Sequence, residues 1–519
     1  MTKRPNILFV MFDQLAPQSL PCYGHPLVHA PNLQALAERG VVFDSAYCNS
    51  PLCAPARFAM MAGQLPSRIG AWDNAAEFPA SVPTYAHYLR RLGYRTCLAG
   101  KMHFVGPDQL HGFEERVTTD IYPADFGWTP TWDEPERIHW WFHNMLSVVE
   151  ARPYDRSLEW DYDEEVGHHA VRWLYDHARG TDERPFMLTV SFIQPHDPYL
   201  GPRADWARYD PAAIDMPAVP YIPPAARDPL SRRMHELYDR DEYRVTDAHV
   251  RNARHGYYAM ISYVDRKFGE LLAALQTTGL ADDTVVVVTA DHGDMLGERG
   301  LWYKMTFFER AARVPLILHA PRLFAARRVP QSVSLVDLLP TFADLAGESA
   351  PFAPATPIDG RSLVGLAAGG EGSDEVYGEY MAEGTVQPIF MIRRGRYKYV
   401  CCDGDPPQLF DLSADPHELV NLADDPRHAR LAADFAGNAA AKWDSAGIRE
   451  QVVRSQRQRL LVQEALLAGR IHAWDYEPRT DAARQYNRNY GGELYDTDRR
   501  ARLPNRAEPP KDGKGRGRG

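Results

Sequence analysis

The sequence predicts an α/β protein with a large, mostly parallel central sheet flanked by helices, a smaller C-terminal antiparallel-sheet subdomain and a helical C-terminal tail. Three observations predict it. Short, unbroken apolar runs recur at "NILFVMF" (6–12), "FMLTVSFI" (186–193), "TVVVVTA" (284–290) and "VPLILHA" (314–320). Such runs suit strands buried on both faces. Helix-patterned stretches, among them "APNLQALAERG" and "DRKFGELLAALQTTGL", lie between them. Further on, "MIRRGRYKYVCCDG" and "PQLFDLSADP" change to alternating strands with turn signals, which predicts a small antiparallel sheet.

These shifts divide the 519 residues into a main α/β domain over 1–370, a subdomain over 371–460 and a tail over 461–519. From about residue 425 the chain reads as helical and charged, and its basic, Gly-rich end "PPKDGKGRGRG" is expected to be disordered. The tail is too long to be idle, and packing between subunits of a homo-oligomer, a dimer or tetramer, is expected of it. Composition is that of a globular protein, with 45% hydrophobic and 24% charged residues. A net charge of −11 argues against a nucleic-acid partner, which would require a basic stripe. The apolar start is cut by Asp13, too early for a signal-peptide core. No run approaches the roughly 20 apolar residues of a membrane span. A cytoplasmic protein without a membrane partner is therefore expected. The six cysteines are sparse, two of them adjacent, and do not form a disulfide framework.

The polar residues just past each apolar run carry the chemistry. "NILFVMF" ends in Asp13-Gln14, "TVVVVTA" in Asp291-His292, "FMLTVSFI" leads to His196, and "YRTCLAG" (94–100) to Lys101 and His103. An Asp after a strand is often only a cap or turn residue. Parallel strands, however, would bring all four groups to one sheet edge, where ligands of such folds sit. Two carboxylates, an amide oxygen and an imidazole suit Ca²⁺, Mg²⁺ or Mn²⁺, and the imidazole also admits Zn²⁺. Arg57, Lys101 and Lys304 add positive charge, so an anionic substrate is expected. "SPLCAPAR" (50–57) completes the set. A strand-like "GVVFDSAY" precedes it and a helix-like "ARFAMMAGQL" comes after, which puts Cys53 at a helix N-terminus, with Arg57 one turn on along the same face.

These residues resemble the sulfatases of the alkaline phosphatase superfamily. "CAPAR" matches the Cys-x-Pro-x-Arg signature at which that family's Cys is oxidised to formylglycine. "GKMH" (100–103), "PHDP" (195–198), "ADHGDMLGE" (290–298), "YKMTFFE" (303–309) and "LFDLSADPHELVNLA" (409–423) stand in the family's order. The resemblance implies an alkaline-phosphatase-like fold and a formylglycine at position 53, made by formylglycine-generating machinery. It implies one divalent ion on Asp13, Gln14, residue 53, Asp291 and His292, with Ca²⁺ expected and Mg²⁺ or Mn²⁺ compatible. Arg57 and Lys101 would support the nucleophile, His103 would act as base for sulfate release, and His196 and Lys304 would hold the sulfate and assist the leaving oxygen. Gln14 and His292 depart from many arylsulfatases, and phosphonate monoester hydrolases resemble this arrangement too. A phosphonate-monoester or phosphodiester hydrolase, or a broader alkyl or aryl sulfatase, is thus the alternative. A non-catalytic sulfated-ligand binder would need lost catalytic groups, and none is missing.

Residues 74–94, 100–130 and 462–476 are similar to the choline-sulfatase branch of that family. The implied substrate is choline-O-sulfate. "WTPTWDEPERIHWWFH" (128–143) holds Trp128, Trp132, Trp140 and Trp141. A quaternary ammonium donates no hydrogen bond and is bound by aromatic faces. Large aromatics also pack loop walls, the expected fate of most of these four. Trp128 is expected to face the cation, with Asn74, His143 and Glu383 as further pocket candidates.

Overall fold

The computed structural model describes residues 4–134, 144–347 and 352–480. Its main sheet has nine strands: β1 (Asn6–Phe12), β2 (Val41–Tyr47), β3 (Arg95–Gly100), β4 (Glu115–Arg116), β5 (Phe186–Phe192), β6 (Thr284–Ala290), β7 (Arg313–Val314), β8 (Leu316–His319) and β9 (Arg327–Ser334). The spatial order is β4-β3-β5-β1-β6-β8-β2-β7, with β9 beside β2. The run β4-β3-β5-β1-β6 is parallel throughout. Every residue of β1, β5 and β6 is buried, the result of helices covering both faces. The sheet is not parallel to its far edge. β8, built from the "VPLILHA" run, is antiparallel to both β6 and β2.

Two long helices cover this core. Leu158–Arg179 and Asp247–Thr278 pack on each other, and the second opens on a capping box in which Thr246 and His249 bond reciprocally. Gly100, at the end of β3, has φ +104°, and a Cβ there would overlap the Ser191 carbonyl. Only glycine allows β3 to approach β5 and then turn out into Lys101.

The smaller sheet is β10 (Glu375–Tyr380), β11 (Ile389–Arg394), β12 (Tyr397–Cys402) and β13 (Gln408–Asp411), antiparallel in that order. A second core, including Phe390, Tyr399, Leu409, Phe435, Trp443 and Val452, joins it to the helices Ala429–Lys442 and Ser445–Leu467. Trp72 and Trp132 enter the same core, so the subdomain reaches back to segments near the site. The expected division at residue 460 falls inside the continuous helix Ser445–Leu467, which needs no break because no proline or glycine interrupts residues 448–467. Among the described residues, no helix is long and apolar enough to cross a membrane.

Candidate active site

The parallel order β3-β5-β1-β6 places four strand ends side by side. Asp13 follows β1, Asp291 follows β6, Lys101 follows β3, and His196 lies in the loop after β5. The ladder extends one step past the strands, with the Asp13 N–H donating to Phe192 O (3.1 Å) and the Lys101 N–H to Ser191 O (3.0 Å). These bonds fix where the two side chains start. Cys53 arrives from β2 through Pro51 and opens the helix Cys53–Ala62, whose first-turn amide at Ala56 donates to Leu52 O (2.9 Å). Pro55 sits within the first turn, where a missing N–H costs nothing. The Ala54 N–H donates to Asn74 Oδ1 (3.0 Å), which puts Asn74 beside the nucleophile position. Gln14, His103 and Tyr303 hold left-handed backbone (φ 64°, 59° and 60°), a strain that clusters at functional sites.

Asp13, Cys53, Asp291 and His292 are fully enclosed, and one ligand atom from each lies within 4.8 Å of the others. His292 Nδ1 donates to Gly293 O (3.0 Å), so its Nε2 lone pair faces inward, 3.3 Å from Cys53 Sγ. Burial lowers the His292 pKa, keeping the ring neutral and able to ligate. Asp13 Oδ1 lies 4.0 Å from both Cys53 Sγ and His292 Nε2. The donor set fits a divalent cation. Arg57 braces it from behind, reaching Asp13 Oδ2 at 2.7 Å and Asp291 Oδ2 at 2.8 Å. Lys101 Nζ lies 2.5 Å from Asp13 Oδ2 and 3.5 Å from Cys53 Sγ. Burial alone would raise the Asp13 pKa, but the Lys101 and Arg57 cations overcome it and hold the carboxylate ionised.

Gln14 does more than offer an oxygen. Its Oε1 accepts from Lys304 Nζ (2.7 Å), and its Nε2 donates to Asp294 (2.7 Å) and Asp197 (3.3 Å). Lys304 also donates to His196 Nε2 (2.7 Å), whose Nδ1 donates in turn to Asp197 O (2.6 Å). Burial opposes the Lys304 charge, yet Cys53, Asp197 and Asp13 together raise its pKa. Burial and Lys304 depress His196, so the pair is an ammonium donating to a neutral imidazole. His103 is buried, and neither ring nitrogen has a hydrogen-bond partner among the described residues. Burial lowers its pKa while nearby Cys53 offsets part of that shift, which leaves a neutral ring with a lone pair for a proton.

The outer wall is aromatic. Trp128 packs edge-on to Tyr122 (4.9 Å between ring centres) and to His103 (5.6 Å). Lys101 Nζ sits 4.3 Å from the centre of the Tyr122 ring. Glu383, half-buried past β10, is pushed up to about 7 by burial and by the Asp73 carboxylate, with Lys304 acting in the opposite direction. Trp132 is a packing residue, its Nε1 donating to Ala382 O (3.0 Å). His143, Trp140 and Trp141 lie outside the described residues. Reading the sequence missed Tyr122, Asp197, Asp294 and Asp120, whose Oδ2 accepts the Met102 and His103 N–H groups (3.0 and 2.9 Å). Asp197 comes one position after His196 and Asp294 two after His292, a signal that was present. Tyr122 carries none.

The family model for sulfatases matches residues 5–348. The model of the N-sulphoglucosamine sulphohydrolase C-terminal region matches 297–442, and that of the choline sulfatase enzyme C terminal matches 450–503. The chain belongs to the sulfatase family. It is a sulfatase enzyme, a hydrolase of sulfate esters. Over 498 residues it is 49% identical to a choline-sulfatase of Rhizobium meliloti (strain 1021), covering 94% of this chain and 96% of that one. It is 30% identical to the arylsulfatase K of Danio rerio over 433 residues, covering 79% and 78%. Among solved structures, the phosphonate monoester hydrolase of Agrobacterium radiobacter superposes with a TM-score of 0.70 at 25% identity, covering 86% of this chain and 96% of that one.

Proposed function

We propose that the enzyme hydrolyses choline-O-sulfate to choline and sulfate, using residue 53 as a formylglycine and one divalent ion, expected to be Ca²⁺. The observation that carries the substrate is the wall of Trp128 and Tyr122, with the acid Glu383, beside a buried cationic sulfate-binding end. The 49% identity to a choline-sulfatase supports it. Asp13, Gln14, Asp291, His292 and residue 53 would hold the ion, which when bound supplies Lewis-acid polarisation of the sulfate oxygens. Arg57 and Lys101 offset the charge that builds around residue 53. Lys304, donating to His196, is placed to protonate the leaving alkoxide. His103, with its free lone pair, takes the proton from residue 53 as sulfate departs. Asn74 fixes the turn that faces the nucleophile, and His143 remains a pocket candidate.

The same cations would accept a phosphate or phosphonate monoester, and the likeness to a phosphonate monoester hydrolase supports that as a side activity. Three working domains are proposed at 1–370, 371–460 and 461–519, the last two sharing one helix. A cytoplasmic homo-oligomer is proposed too. Its support is the exposed apolar row Leu461, Val462, Leu467 and Ile471 on and after the C-terminal helix.

The test compares choline-O-sulfate with 3,3-dimethylbutyl sulfate, which keeps the shape and a primary alkoxide leaving group but replaces N⁺ by carbon. A desolvated cation–π contact is worth about 0.5–2 kcal/mol, so Trp128→Ala is expected to narrow the kcat/KM preference by roughly two- to thirtyfold. Equal efficiency of the wild type on the two esters would reduce the assignment to a general alkyl sulfatase.

A further inference from the structure

The C-terminal helix Ser445–Leu467 does more than fill the second core. Gln456, Arg459 and Gln463 recur at three- and four-residue intervals and so share one face. That face holds the loop carrying Trp128 at three points. Gln456 Oε1 accepts the Trp132 N–H (2.9 Å), Arg459 Nη1 donates to Thr129 Oγ1 (3.1 Å), and Gln463 Oε1 accepts the Phe126 N–H (3.1 Å). Thr129 closes the turn around Trp128, its N–H and its hydroxyl both donating to Phe126 O.

Arg459 also reaches the other wall. Its Nη1 and Nη2 donate to the two oxygens of Asp73, each at 2.7 Å. Both side chains are enclosed, at 6% and 0% exposure, which makes this a dry, two-pronged pair and not a surface contact. Asp73 in turn fixes the next residue. Its Oδ1 accepts the Ala75 N–H (2.9 Å) and its carbonyl the Ala76 N–H (3.1 Å), forming the turn that aims Asn74 at Ala54. One guanidinium thus ties the Asn74 turn to the Trp128 turn.

We propose that Arg459 is a positioning residue for the end of the substrate remote from sulfur, setting the spacing between the Trp128 and Asn74 walls. It contacts neither the sulfate-binding groups nor the nucleophile directly and reaches the nucleophile turn only through Asn74 and the Ala54 N–H, so its larger effect falls on esters that use those walls. This rests on the choline-ester reading of the pocket. A lysine cannot reproduce the fork: it keeps the buried charge paired but gives up one prong and the reach to Thr129.

The experiment measures kcat/KM of purified full-length wild type, Arg459→Lys and Arg459→Gln on choline-O-sulfate, 3,3-dimethylbutyl sulfate and 4-nitrophenyl sulfate, with thermal melts as a folding control. Misplacing a binding wall by a fraction of an ångström supports an expected loss of about tenfold or more on choline-O-sulfate, carried mainly by KM, with a clearly smaller loss on 4-nitrophenyl sulfate. The choline-to-dimethylbutyl ratio should fall in both variants, less in Arg459→Lys. Asp73→Asn should reproduce the pattern from the other side of the pair, and adding it to Arg459→Gln should cost little more. If Arg459→Gln does not fold, Arg459→Lys and Asp73→Asn decide. A folded variant that loses activity equally on all three esters, or keeps the wild-type ratio, overturns the inference and leaves the choline reading standing. A wild type without preference for the charged ester removes both.

Discussion

Glu383 gives the pH dependence a sign and a position. Burial is the main cause that pushes it up to about 7, and the facing Asp73 carboxylate adds to the rise. Lys304 pulls the other way, and Tyr238 and Tyr380, also near Glu383, stay neutral because burial raises both. A raised carboxylate is uncharged below its pKa and charged above it, so the attraction for a trimethylammonium group is present above about pH 7 and lost as pH falls. Because kcat/KM reports the free enzyme, the choline ester should track the ionised fraction, dropping about tenfold between about pH 8 and pH 6 from this group alone. Metal ligands, His103 and His196 titrate alike for every ester. Dividing the choline-O-sulfate profile by that of 3,3-dimethylbutyl sulfate cancels them and isolates Glu383. Glu383→Gln should flatten the ratio and hold it near its low-pH value. A wild-type ratio that does not change across this range would refute the argument, because it would mean that the carboxylate does not face the cation.

Three further outcomes test the sulfate end. Lys304→Ala removes the ammonium that donates to His196, and loss of one such contact is expected to cost ~10²–10³ in turnover on alkoxide-leaving esters and less on 4-nitrophenyl sulfate, whose leaving group needs no proton. Equal losses on both would move Lys304 off the leaving oxygen. Chelation should abolish turnover, and Asp291→Asn should lower bound metal measured by atomic emission, since Asp291 belongs to the enclosed donor cluster. Full activity in metal-free protein would exclude the assignment. Peptide mass spectrometry across residue 53 of active enzyme should show the aldehyde in place of the thiol, and unmodified Cys53 in fully active protein would contradict it.

How much of this was legible depended on whether position in the fold can be read from chain order. Asp13, His196 and Asp291 each end or follow an unbroken apolar run and Lys101 follows the shorter run 94–100, and parallel pairing of β3, β5, β1 and β6 converts that into proximity. Cys53 and Arg57 were legible for a local reason, since a helix start between two prolines fixes their relation. The direction of β8 was not legible, because an apolar run of a few residues looks the same in a parallel and an antiparallel pair. The partners that brace the site were harder still. Asp73 and Arg459 are 386 residues apart, and nothing near either one announces the other. The same holds for Tyr122, whose place under Lys101 is set by how the 101–130 loop folds back.

Charge links the two ends of the pocket. At the sulfur end, the carboxylates Asp13 and Asp291 face three cations, Arg57, Lys101 and Lys304, while His196 and His292 are held neutral by burial. A divalent ion makes that end more positive still, which suits an ester sulfate and the charge that grows on it. Left alone, such a field would repel a cationic alcohol portion. The outer end answers it with ring faces and one ionisable acid, while the second acid nearby, Asp73, is held in an ion pair with Arg459. If Asp73 were unpaired, its charge would raise Glu383 further and remove the negative charge at neutral pH. On the proposed reading, the buried Asp73–Arg459 pair acts on electrostatics as well as on spacing, leaving Glu383 as the carboxylate to meet a cation there. A pocket with opposite polarity at its two ends fits a zwitterionic ester at both, and a plain alkyl or aryl sulfate only at the sulfur end.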